Sequence, residues 1–84
     1  MKSDMQIATE LLEKCKKHLE NEEKLKVEDS LLNSMWMESI EKGEENTQLY
    51  TKMDEVSREL QKEREEFDLY VRLLVKYLIK LELL

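Results

Sequence analysis

The chain of 84 residues contains no proline, one glycine and one cysteine, and each scarcity removes a class of structure. Hairpins and tight turns draw on Gly, Asn and Pro, so sheet architectures lose their usual connections. A lone thiol, Cys15, cannot close an internal disulfide, which makes a reducing cytoplasm the expected location. Long apolar runs are missing as well. The most apolar stretch, FDLYVRLLVKYLIKLELL at 67–84, is interrupted by Arg72, Lys76, Lys80 and Glu82 and never holds more than three apolar residues in succession, so no membrane span is expected. The opening MKSDMQIATELLEK is charged and periodic where a signal peptide would be continuously apolar.

What the chain has in abundance is charge. Asp, Glu, Lys and Arg make up 40% of it, with Glu, Lys and Leu prominent, the composition of long helices and coiled coils. Twenty acidic residues against 14 basic ones leave a net charge of -6, which disfavours direct binding to nucleic-acid phosphates. A chain of this length forms one domain and, folding alone, buries only about 60 to 65% of its unfolded surface. Its stability is expected to be marginal or shared with a partner.

The only glycine, Gly43, lies where the periodicity of the first half stops, the usual place for the left-handed residue after a helix. Asn46 or Thr47 then caps a second helix, with Glu44 and Glu45 close to its positive end. The expected fold is therefore all-α: an antiparallel hairpin of two long helices, 3–42 and 47–84, joined by a turn at 43–46. Ser3 with Gln6 reads as a capping box. In the second helix Leu49, Met53, Val56, Leu60, Glu63, Phe67, Tyr70, Leu74, Tyr77, Leu81 and Leu84 follow alternating steps of four and three, a heptad seam in which only Glu63 is polar. Such a helix is about 57 Å long.

The first helix carries a less regular stripe: Ile7, Ala8, Leu11, Leu12, Cys15 and Leu19, then Leu31, Leu32, Met35, Trp36 and Ile40. Between them NEEKLKVEDS at 21–30 keeps only Leu25 and Val27 as apolar residues and reads as a polar waist with a shift of phase. One continuous helix is the preferred reading, a second start capped by Asp29 or Ser30 the alternative. Folding back at 43–45 pairs residues whose numbers sum to about 89, which sets Glu63 beside Lys26 as a device fixing register.

Several groups of residues invite a chemical reading. Cys15, His18 and Glu22 share a helix face, but three ligands are too few for a closed structural site and no CxxC is present; a buried thiol beside a boundary histidine is the preferred account, and no metal, cofactor or catalytic residue is assigned. Nothing in the chain supplies an oxyanion hole or Gly-rich loop, so an enzyme is not expected. In Met35-Trp36-Met37, core packing with Leu32 and Ile40 explains the first two, leaving Met37 as an interface candidate. The acidic groups at 20–23, 41–45 and 63–68 suit a nucleic-acid mimic that occupies a basic site, yet lysines interleave with them as on an ordinary solvated face. The basic, apolar end suits an anionic membrane surface less well than a partner helix, because the seam runs into it unbroken.

The expected function is a non-enzymatic protein–protein interaction module of assembly, adaptor, chaperone or inhibitor type. It acts through the apolar face of its C-terminal helix, anchored by Phe67, Tyr70, Val71, Leu74, Tyr77, Leu78 and Leu81. The terminal half of the second helix is apolar on more than one side and a hairpin has one contact line, so a second copy, completing a four-helix bundle, or a partner protein's helix is the expected occupant. A small acidic inhibitor of a nucleic-acid-binding protein, of phage or mobile-element origin, is the alternative.

Overall fold

A computed structural model describes all 84 residues, Met1–Leu84. Two helices, α1 (Asp4–Glu41) and α2 (Thr47–Lys80), pack antiparallel as a hairpin. Its extents of 59 × 20 × 14 Å make a rod, and the radius of gyration of 18.5 Å exceeds the roughly 12 Å of a compact domain of this length. No helix is long and apolar enough to cross a membrane.

Local chemistry sets each helix boundary. Ser3 and Gln6 form the reciprocal capping box, the Ser3 hydroxyl accepting from the Gln6 N–H and the Gln6 side chain from the Ser3 N–H. Asn46 caps α2 by accepting from the Leu49 N–H. The end of α1 is a Schellman turn: Gly43 has φ +71°, its N–H reaches the Ile40 carbonyl, and the Glu44 N–H reaches the Ser39 carbonyl. The Ser39 hydroxyl adds a bond back to the Glu44 carbonyl. The end of α2 repeats the motif with Glu82 in the left-handed position, φ +58°, so that the Leu83 N–H bonds the Leu78 carbonyl. The second helix consequently stops at Lys80, four residues short of the extent expected from the heptad, which tracks side-chain spacing and is blind to this turn.

The interior of α1 is continuous, and its apolar period never shifts. Ala8, Leu11, Cys15, His18, Glu22, Leu25, Asp29, Leu32, Trp36 and Ser39 succeed one another at steps of three and four, and every one is buried or half-buried. The polar waist is therefore a stretch of unbroken heptad in which two of the three seam positions, Glu22 and Asp29, hold polar side chains and the third is Leu25. Leu12, Leu19, Leu31, Met35 and Ile40, read from sequence as core, lie outside this seam and are exposed. In α2 the expected seam is the observed one from Leu49 to Leu81, every member buried or half-buried.

Packing is uneven along the rod. Near the turn Leu32, Leu49 and Val56 form a closed cluster with Leu25, Trp36 and Met53 around it, and Val56 is only 1% exposed. Trp36 adds a tilted contact with Tyr50, ring centroids 5.6 Å apart. Towards the termini Ala8, Leu11 and Cys15 are buried on α1, but after Leu60 no residue of α2 is buried at all.

Register differs from the expected one, with a local cause. Because the Schellman turn ties Glu44 to Ser39, the chain reverses around the C-cap, Lys42, and α2 starts alongside the last turn of α1. Glu63 consequently meets His18, about two turns from Lys26, while Lys26 pairs along its own helix with Glu22 and Glu23.

Candidate functional site

Two features stand out where the helices leave the closed core. The first is a polar cluster on the seam. His18, the only histidine, projects from α1 at a position that would ordinarily hold an apolar side chain. Its Nδ1 lies 2.5 Å from Glu63 Oε2 and its Nε2 lies 3.4 Å from Glu66 Oε2. Glu63 and Glu66 are three residues apart on α2 and so share a face. The Tyr70 ring, one turn further, stacks on the imidazole with centroids 5.4 Å apart and planes within 11°, and Lys14 Nζ sits 5.1 Å from the centre of that ring. Side-chain exposures of 15% for His18, 19% for Glu63 and 38% for Glu66 put the cluster at the edge of the contact line.

One turn along, Glu22 Oε1 accepts from Lys26 Nζ and from Arg64 Nε, each at 3.2 Å. The Lys26 contact, reinforced by Arg64, holds the Glu22 carboxyl below the usual range against the opposing effect of burial. Cys15, buried one turn before His18, has its thiol pushed up by desolvation and stays neutral. Of Cys15, His18 and Glu22, the one possible ligand set legible in sequence, only His18 joins the group of donors that converge; the others that do are Glu63 and Glu66.

The second feature is apolar. Phe67, Tyr70, Val71, Leu74, Tyr77, Leu78 and Leu81 are all half-buried, and Met37, near the turn, is exposed. In an antiparallel pair, the residues that follow the second seam position of each heptad lie on one common flank. On α1 these are Met5, Leu12 and Leu19; on α2 they are Val71 and Leu78. Both helices therefore bring apolar side chains to the same edge of the rod at its terminal end. Further towards the middle the same flank turns polar, with Lys26 and Asn33 on α1 and Ser57 and Arg64 on α2. The outer faces are charged, with pairs such as Glu38 with Lys42, Asp54 with Arg58 and Asp68 with Arg72 spaced four residues apart along single helices.

Comparison of the chain with protein-family models, with curated proteins and with solved structures finds no match.

Proposed function

We propose that this chain is a non-enzymatic protein–protein interaction module that works by docking the apolar flank of its terminal half, in the first instance onto a second copy of itself to complete a four-helix bundle. One observation carries the reading: thirteen of the last 18 residues are apolar, yet none of them is buried within the hairpin. A helix that leaves so much apolar surface half-covered gains by packing against further helices. Covering Met5, Leu12, Leu19, Val71 and Leu78, each partly exposed, is worth about 1 kcal/mol apiece, half of full side-chain burial. Assembly, adaptor, chaperone and inhibitor roles all use such a flank.

The test is the mass of the protein in solution by light scattering after size exclusion, at low and high salt. A salt-resistant dimer is expected, since apolar packing is insensitive to screening. Leu74→Asp or Leu81→Asp abolishes it, and so does Leu12→Asp. Leu12 is already 42% exposed in the single hairpin, so its replacement leaves the fold in place and reads docking alone. A monomer at all concentrations that captures another protein's helix keeps the module reading and changes the occupant. A monomer that competes with nucleic acid for a basic protein, and loses that competition steeply with salt, refutes it in favour of acidic mimicry.

A further inference from the structure

We propose that His18, Glu63 and Glu66 form a binding site for one divalent first-row transition-metal ion, clamping α1 to α2. The three side chains each offer one donor atom, and these atoms lie within 4.8 Å of one another. Around a metal held at about 2.0 to 2.2 Å, ligand atoms stand about 3 to 3.5 Å apart, so modest torsional adjustment of two glutamates closes the site. The donors come from both helices, and two of them are more than four-fifths shielded from solvent.

Charge supplies a second, independent argument. Neither Glu63 nor Glu66 has a Lys or Arg within ion-pair distance; each meets only His18. Two carboxylates against one imidazole leave a charge of at least -1 even with the ring protonated, whereas Glu22, on the same seam, has two cationic partners. Partly buried carboxylates are tolerated when compensated, and a divalent cation compensates both at once. One imidazole nitrogen and two carboxylate oxygens, with room for water in the remaining positions, suit Zn²⁺, Co²⁺, Mn²⁺ or Fe²⁺; the nitrogen donor disfavours Mg²⁺ and Ca²⁺, which take oxygen. The stack of Tyr70 on the ring fixes its plane, the role that outer residues play around a ligating histidine. Cys15 is outside the set because it does not belong to the group of donor atoms that converge.

The ion replaces whatever proton bridges His18 and Glu63, and the ligand pair opens from 2.5 Å to admit it. The site stands apart from the docking flank: it is a claim about one chain, and a monomer can satisfy it.

The experiment is titration of chelator-stripped full-length protein with Zn²⁺ by calorimetry, read in parallel by the imidazole NMR signals, which are unambiguous because the chain has a single histidine. One ion per chain and displaced His18 signals are expected. Affinity should fall at least tenfold in Glu66→Gln, which leaves the His18 to Glu63 bond in place, and in His18→Gln, and stay unchanged in Glu23→Gln on the exposed face. Circular dichroism confirms folding of each variant, and Glu66, the most exposed of the three, is the variant that keeps the test decisive if His18→Gln unfolds. Unmoved imidazole signals, or an affinity that Glu66→Gln leaves intact, overturn the proposal.

Discussion

Replacing both His18 and Glu63 by leucine should make the hairpin more stable, although it removes one of the few bonds that join the helices. Each position is more than four-fifths buried at its side chain, so a leucine there gains about 1.2 to 2.5 kcal/mol, most of the full value for that side chain. The pair therefore gains about 2.5 to 5 kcal/mol. Against this stand the charge-assisted hydrogen bond, about 1.5 to 3 kcal/mol, and the stack on Tyr70, about 0.5 to 1.5 kcal/mol. The balance is a gain of about 0.5 kcal/mol, at the near-neutral end of apolar replacements of buried ion pairs elsewhere. His18→Leu alone does the opposite, because it leaves Glu63 and Glu66 facing each other without a basic neighbour, and should cost about 2 kcal/mol. Urea denaturation followed by circular dichroism, in chelator so that no metal contributes, measures the parent, His18→Leu, Glu63→Leu and the double variant. With a slope near the low end for small domains, the double variant's midpoint should rise by about 0.5 M. A double variant less stable than the parent, or two single effects that simply add, would refute the reasoning that this pair is held for register at a cost in stability.

Two further outcomes follow from the same contacts. The Glu22 carboxyl is held below its ordinary range by Lys26 and Arg64, so it contributes stability in full above the unfolded pKa of about 4.3 and loses it as pH falls through the lower folded value; Arg64→Gln should flatten acid denaturation in that window, and an unchanged profile would count against the contact. Gly43→Ala should cost about 1 kcal/mol in thermal or urea unfolding, from the left-handed backbone alone, because a methyl group there meets nothing within 4 Å; a larger loss would mean that the position is crowded.

Most of the architecture could be read from spacing. The capping box at Ser3, the left-handed Gly43, the Asn46 cap and the seam from Leu49 to Leu81 each follow from a local rule, and local rules suffice for a hairpin of two helices. What escaped was the identity of the seam in α1. Polarity alone places Leu12, Leu19 and Ile40 in the core, and His18 and Glu22 at its boundary and waist. The buried positions are instead those at the right spacing, whatever they carry. Register escaped for a related reason. A Schellman turn joins the residue two beyond the C-cap to the residue three before it, so Gly43 itself implies reversal around Lys42. Folding there, and not at 43–45, moves Glu63 to the height of Asn21, within one turn of its real partner His18. The metal-ligand set needed that register, since His18 is far from the two glutamates in sequence and shares no motif with them.

The gradient of packing along the rod also sets an order of events. The closed cluster joins Leu32 to Leu49 across a loop of about 17 residues, whereas His18 and Glu63 are separated by 45. Closing the shorter loop is cheaper by about 0.9 kcal/mol and is rewarded by a buried core, so the hairpin should zip from the turn outwards. In the folded protein the same gradient should read out as a ramp of amide-exchange protection, highest around Val56 and lowest beyond Phe67. The molecule is built like a pair of tweezers: its closed core lies at the hinge end, and the α2 side of its tips is only half-covered. Anything that grips the tips, whether an ion between His18 and the glutamates or a second hairpin on the leucine flank, slows the breathing of the whole terminal half.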